Sequence, residues 1–221
     1  MEYLTISKLG GPGSGFHVEG FPGAVKVATL RGPKARRLAH LALHLNDLLS
    51  AERCLTALAK GQVEPVRSAL WFTAVVEYMK CFGKSQARFS LVSDVMYAGN
   101  PLATDAFAFF KAMRHKHYVH DENAFGQALP GAVINGPQCP HKIAKIVTLA
   151  ARGDIVSQEN FTNLSLLVER AQEWVTCQYD ELCDSITADL ECLSHDELLA
   201  LADVEYQKPV LDDVGIIRRE P

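Results

Sequence analysis

Residues 33–60 read PKARRLAHLALHLNDLLSAERCLTALAK. Leu38, Leu41, Leu45, Leu48, Leu55 and Leu58 recur at helical spacing, so an α-helix gathers them into a single apolar stripe. Pro33 suits the first turn of that helix and Gly61 suits the residue after its last. Arg36, Arg37, His40, His44 and Asp47 fall on the other side. Two histidines and a carboxylate there imitate a metal-ligand set, but a solvated polar face is the simpler reading. A long helix with one apolar stripe needs other helices to cover it, which points to a mainly α protein.

Moving outward from this helix, the chain supplies its partners. A second helix is expected from near Pro65 through residues 68–92, SALWFTAVVEYMKCFGKSQARFSLV, with Val66, Leu70, Ala74, Tyr78, Cys81 and Phe82 sharing a face. Gly83 falls inside it and marks a bend or a close contact. Gly83-Lys84-Ser85 echoes the end of a phosphate-binding loop, but Tyr78 stands where the first glycine is needed, so that reading is set aside. A third helix follows Asn100, with Pro101 in its first turn, and runs to His120. Beyond it the chain turns rich in Gly and Pro, then apolar and β-prone; Ala132 to Asn135 and Lys142 to Leu149 read as a hairpin. The last long helix covers residues 160–192, with Leu164, Leu167, Ala171, Trp174, Cys177, Leu182, Ile186 and Leu190 inward. Ser194-His195-Asp196-Glu197 is a capping box that opens a short final helix.

The expected architecture is therefore an antiparallel bundle of four to five helices over residues 33–205, with a small β-hairpin insertion near 131–149. Residues 1–32 form an irregular extension in which GGPGSG is a loop and residues 24–30, AVKVATL, are a short strand. Residues 206–221 are a tail, loose or docked by its apolar residues.

Composition narrows the function. The formal net charge is −4, from 22 Lys and Arg against 26 Asp and Glu, which argues against a surface that binds nucleic acid everywhere but leaves room for a local basic cleft. The six cysteines, Cys54, Cys81, Cys139, Cys177, Cys183 and Cys192, include no C-x-x-C pair, so neither a zinc ribbon nor a redox motif is expected. The N-terminal residues carry an early acid and no apolar core of a signal peptide, and no apolar run reaches the roughly 18 residues of a spanning helix. A cytoplasmic protein without membrane contact is the expectation.

The chemistry concentrates in one place. Residues 111–120 read KAMRHKHYVH and place Lys111, Arg114, His115, Lys116, His117 and His120 within ten positions of an otherwise acidic chain. A guanidinium holds a phosphate through two parallel hydrogen bonds. An imidazole exchanges protons near neutral pH. Phosphodiester cleavage without a metal needs such groups: a base takes the proton of a ribose 2′-OH while a cation stabilises charge on the phosphate. Three plainer readings stand beside this one. Basic residues and histidines favour the C-terminal end of a helix through its dipole, so the run can be a solvated helix end. His117, His120 and Asp121 are spaced to hold a metal, although Arg114 and Lys116 would repel a cation. Trp71, Trp174, Phe107, Phe109, Phe110 and Tyr78 are most simply core or dimer-interface aromatics.

The run from Arg114 to His120 resembles the R-x(4–6)-H motif of HEPN domains, in its R-x5-H form. The aromatic-rich segment around Trp71, Phe72, Val75, Glu77 and Tyr78 precedes it, Asp121 to Asn123 follow it, and the coarse resemblance covers residues 33–192. The resemblance implies an all-α homodimer whose two motif helices face each other. It implies a metal-independent, cofactor-free endoribonuclease, a toxin or antiviral effector restrained by an antitoxin or regulatory protein. Carried over, Arg114 holds the scissile phosphate of an RNA and His120 is the general base or acid. His115 occupies the polar position where many members carry Asn or Asp. Lys116, His117, Tyr118 and Glu77 would support the site. Other members have lost activity and serve as interaction or scaffold modules, and the acidic total charge fits that alternative. On a straight α-helix, residues six apart point about 120° away from each other, so Arg114 and His120 share a site only if the helix bends or ends, or a second subunit completes it.

Overall fold

The computed structural model describes residues 6–8, 16–18, 20–120, 126–152, 156–204 and 210–216. The chain is mainly α-helical. Two short strands come first, β1 (Ile6–Lys8) and β2 (Phe16–Val18), paired antiparallel. Helices α1 (Pro33–Ala59), α2 (Val66–Lys80), α3 (Ser93–Met96) and α4 (Pro101–Ala112) follow, and α4 runs into a π-helical turn, Met113–Val119. The antiparallel hairpin of β3 (Gly126–Ile134) and β4 (Ile143–Arg152) separates this turn from α5 (Gln158–Glu191) and α6 (His195–Ala200), and a 3₁₀ turn (Leu211–Gly215) comes last. Among the described residues no helix is long and apolar enough to cross a membrane.

Two compact units divide the chain. The first holds Met1–Asn46, Lys84–Phe89 and Gln172–Pro221; the second holds Asp47–Gly83 and Ser90–Ala171. In the first unit Leu41, Leu45, Val175 and Ile186 are buried. So are His40 and His44, which corrects the solvated face read for them. The segment 84–89 covers that side of α1. His44 Nε2 lies 2.8 Å from the Phe89 carbonyl oxygen, and the Phe89 backbone N–H donates to His40 Nδ1 at 3.4 Å. Both imidazoles tilt against the Phe89 ring, which also carries the Arg37 guanidinium at 5.0 Å. An imidazole suits such a place because its ring packs like an aromatic while its nitrogens satisfy the backbone. The expected strand over residues 24–30 does not form. Instead Ala28 makes a single bridge to Asp203, and the Lys26 ammonium is held by the carbonyls of Leu199, in the last turn of α6, and Leu201, just after it. A strand needs a partner of similar length, and the segment it meets offers only the few residues after α6. The GGPGSG loop and most of the C-terminal tail lie outside the described residues.

The second unit contains the aromatic core. Trp71, Tyr78, Tyr97, Phe107 and Phe110 are buried with Leu55, Leu164 and Val168. Full burial of each such side chain stabilises by roughly 1.5–3 kcal/mol. Trp71 meets Phe110 edge-on at 6.0 Å. The Tyr78 and Tyr97 hydroxyls are 2.6 Å apart, and Tyr97 donates to the Leu167 carbonyl at 3.2 Å. Because the Tyr97 proton is committed to Leu167, Tyr78 donates and Tyr97 accepts. Helix α2 ends at Lys80, well short of the expected residue 92. Gly83 lies in the loop that follows, tied by Ser90 Oγ donating to the Gly83 carbonyl at 2.7 Å and by Leu91 N–H donating to Cys81 O at 2.9 Å. The caps read at α4 and α6 are present: the Asn100 side chain accepts from Ala103 N–H with Pro101 in the first turn, and Ser194 and Glu197 form a reciprocal capping box.

The hairpin is longer than its sequence implied. β3 reaches back to Gly126, through Pro130 and Gly131, and pairs in continuous register from Gly126↔Arg152 to Val133↔Lys145, with a bulge before Ile134↔Ile143. Pro is tolerated there because β3 is an edge strand of a two-stranded sheet.

Candidate functional site

The Arg114 to His120 segment is where α4 changes its winding. The run His115-Lys116-His117-Tyr118-Val119 combines imidazoles, an aromatic and a β-branched residue, all weaker helix formers than the alanines of the turns before it. Over Met113–Val119 the backbone hydrogen bonds shift to i→i+5, and His120 N–H closes the turn by donating to His115 O at 3.2 Å. Such single π-turns concentrate at functional sites.

The widened turn decides which side chains meet. In an α-helix residues five apart diverge by about 140°; here the extra residue per turn sets His115 and His120 one above the other, ring centroids 4.6 Å apart and edge to face. Arg114 precedes this pair, exposed, as are Lys111 and Lys116. Among the described residues these three cations form no ion pair. The π-turn brings His115 to His120; among the described residues no hydrogen bond or ring contact joins Arg114 to His120.

Tyr118 anchors the turn. Its ring meets Phe72 of α2 edge-on at 4.7 Å and the neighbouring His117 at 5.1 Å. Burial pushes the Tyr118 hydroxyl up to about 12, with Trp71 pulling weakly the other way. The Tyr118 hydroxyl thus keeps its proton at neutral pH, and its ring packs the turn against α2. Glu77 is held elsewhere: its carboxylate binds Lys80 at 2.7 Å, and Lys80 also binds Asp47 at 2.9 Å. Asp121 to Asn123, the acidic end of the motif and a member of the metal alternative, lie outside the described residues.

The sequence reading missed the partnership of His115 with His120. Its signal was present: two imidazoles five apart in a stretch of low helix propensity. A groove of about 870 Å³ in the first unit, lined by Leu30, Pro33, Ile186, Leu190 and Leu201, offers less chemistry, because its Lys34 is paired with Asp189 at 2.5 Å. Comparison of the chain with models of known protein families, with curated proteins and with solved structures finds no match.

Proposed function

We propose that this chain is a HEPN-like, metal-independent endoribonuclease, built as an antiparallel bundle of four to five helices and acting in the cytoplasm as a homodimer. The observation that carries the reading is the exposed His115–His120 ring pair, 4.6 Å apart, in a π-turn beside Arg114, Lys111 and Lys116. Two imidazoles provide a base and an acid, and cations provide phosphate binding. In the proposed reaction His120 removes the proton of a ribose 2′-OH, the 2′-oxygen attacks the adjacent phosphorus, and the P–O5′ bond breaks. Protonated His115 supplies the proton to the leaving 5′-oxygen, while Arg114 holds the phosphate oxygens. The products are a 2′,3′-cyclic phosphate and a 5′-hydroxyl. A toxin or antiviral role, restrained by an antitoxin or regulatory protein, fits an enzyme that needs no cofactor.

Purified protein incubated with RNA in EDTA tests this directly. The expected result is cleavage with cyclic-phosphate ends, abolished in Arg114→Ala and His120→Ala proteins that stay folded. Cleavage that appears only after a divalent metal is added overturns the mechanism. One observation favours a second reading, a non-catalytic interaction protein on the same scaffold: among the described residues no hydrogen bond or ring contact joins Arg114 to His120. Harmless expression and intact RNA would select it.

A further inference from the structure

Both faces of the hairpin are open. Every residue from Gly126 to Ala150 is exposed or half-buried, none buried. Cross-strand partners share a face, so Leu129, Val133 and Leu149 lie on one side and Ala132 and Ile146 on the other. Ile146 is 68% exposed, Leu149 65% and Leu129 56%. Contiguous exposed apolar surface of this kind marks an interaction site. The outer edge of β4 is open as well. β3 and β4 make a sheet of two strands, so the far side of β4 presents main-chain N–H and C=O groups that no other strand meets among the described residues. A two-stranded ribbon alone in water is at best marginally stable, whereas a third strand and an apolar face make a sheet that stands by itself.

We propose that β4 is the docking edge for an acidic polypeptide, an extended segment of a protein partner in which apolar residues alternate with Asp or Glu and which adds to the hairpin as a third strand. Charge identifies the partner. Residues 126–152 hold Lys142, Lys145 and Arg152 and none of the chain's 26 Asp and Glu, so the hairpin is wholly basic in a chain of net charge −4. A carboxylate on the added strand, placed across from the exposed Lys145, makes the opposite-charge pair that stabilises neighbouring strands. The edge identifies the strand. β3 contains Pro130, which has no N–H to donate, and Gly126 and Gly131, which have no side chain to pack; β4, IAKIVTLAAR, has neither Gly nor Pro and is rich in β-branched residues.

Other occupants fit this surface less well. A second copy of the hairpin brings another basic strand and no acid to meet Lys145. Single-stranded RNA is held on strands through aromatic side chains that stack on its bases, and residues 126–152 contain no Phe, Tyr or Trp. The hydrocarbon of a membrane covers the apolar faces but gives the open edge of β4 no hydrogen-bond partner, a heavy penalty in that medium. An added strand answers all three features at once: its main chain meets the edge, its carboxylates meet the lysines, and its apolar side chains extend the faces on which Leu149 and Ile146 lie. The proposal does not depend on the ribonuclease reading.

A dye-labelled peptide alternating valine and glutamate, matched to the 10 residues of β4, tests the proposal by fluorescence anisotropy with the full-length chain. Its companions are a valine–lysine peptide, the valine–glutamate peptide N-methylated at every amide, and the double variant Lys142→Glu with Lys145→Glu. Both lysines are exposed, so the fold is insensitive to the change, and circular dichroism checks that. The parent should bind the valine–glutamate peptide saturably and the valine–lysine peptide weakly or not at all. The variant should bind the acidic peptide roughly tenfold less tightly and turn its preference to the valine–lysine peptide. The N-methylated peptide keeps the charge but cannot donate to the edge, and should not bind. No binding of the valine–glutamate peptide overturns the proposal, as does equal binding of its N-methylated form or an unchanged affinity in the variant. So does binding of polyuridylate RNA or of phosphatidylglycerol vesicles that the variant loses, where the peptide does not bind, since that result gives the basic hairpin to another anion. Loss of RNA cleavage with peptide binding intact bears on the ribonuclease reading alone.

Discussion

Two aromatic pairs in the second unit stand in opposite circumstances. Tyr78 and Tyr97 are buried, joined hydroxyl to hydroxyl, and passed on to the Leu167 carbonyl, so every polar atom of the pair has a task within the fold. His115 and His120 touch ring to ring at the surface, with their polar atoms available. The first arrangement uses aromatic chemistry to specify a core, where an unmet hydroxyl would be costly. The second uses little of its chemistry for stability. The prediction is that stability follows the tyrosines and activity follows the histidines.

The largest expected effect breaks the core beside that pair. Phe110→Ala removes a ring that is 1% exposed and packed on Trp71, and should cost about 3–5 kcal/mol in a urea melt. A loss below about 1 kcal/mol would show that the core of this unit does not depend on the ring. Next comes Tyr97→Phe. It removes both the donor to Leu167 and the acceptor for Tyr78, leaving a buried hydroxyl unmet, and should cost about 2 kcal/mol. The double variant with Tyr78→Phe should recover part of this loss, because the orphaned hydroxyl goes with it.

A pH series sharpens the same contrast. Burial raises the Tyr78 and Tyr97 hydroxyls well above the ordinary phenol range, and lifts Tyr118 to about 12. Between the unfolded value near ~10 and the folded value, the unfolded chain has given up protons that the folded chain keeps, so stability falls as pH rises. Stability from these groups is therefore complete below about pH 10 and lost above it. Denaturation followed from pH 8 upward should show the decline steepen past about pH 10, and less so in Tyr97→Phe. An unchanged alkaline limb in that variant would mean the tyrosine pair does not govern it.

How much of this was legible in the sequence depends on the range of the contacts involved. Local signals read well: the leucine stripe of α1, Asn100 with Pro101 at the start of α4, Ser194 with Glu197 at the start of α6. Each rests on neighbours within a turn or two. Burial of His40 and His44 did not read, because the Phe89 backbone that satisfies them lies 45 residues beyond His44, and a polar face looks solvated until its cover is known. The early end of α2 was hidden because Gly83 is tolerable inside a helix pattern. Pro130 and Gly131 looked like loop residues, yet an edge strand accepts both. At the candidate site the residue types were plain, but their pairing was not. The shift from i→i+4 to i→i+5 that pairs His120 with His115 is signalled only by two imidazoles five apart in a stretch of weak helix formers.

That shift supports the smallest stability effect and the most specific test. His115→Ala deletes an exposed ring whose described contact is His120, so it should change stability by no more than about 0.5 kcal/mol. If His115 is the acid of the reaction, the same substitution should lower cleavage by roughly 10²–10⁴-fold. The bell-shaped pH profile of the parent should then lose its alkaline limb and keep the acidic one, since the base His120 must still be neutral to act. His115→Asn, the side chain common at this position in the resembling family, separates two roles. It restores a polar hydrogen-bonding group but no titrating proton. Recovery of activity in His115→Asn would assign the residue to positioning His120; continued loss with an altered pH profile would assign it to proton transfer. A substantial loss of stability in either variant would return the His115–His120 pair to the structural side of the comparison, and the tyrosine pair would no longer have a functional counterpart in this unit.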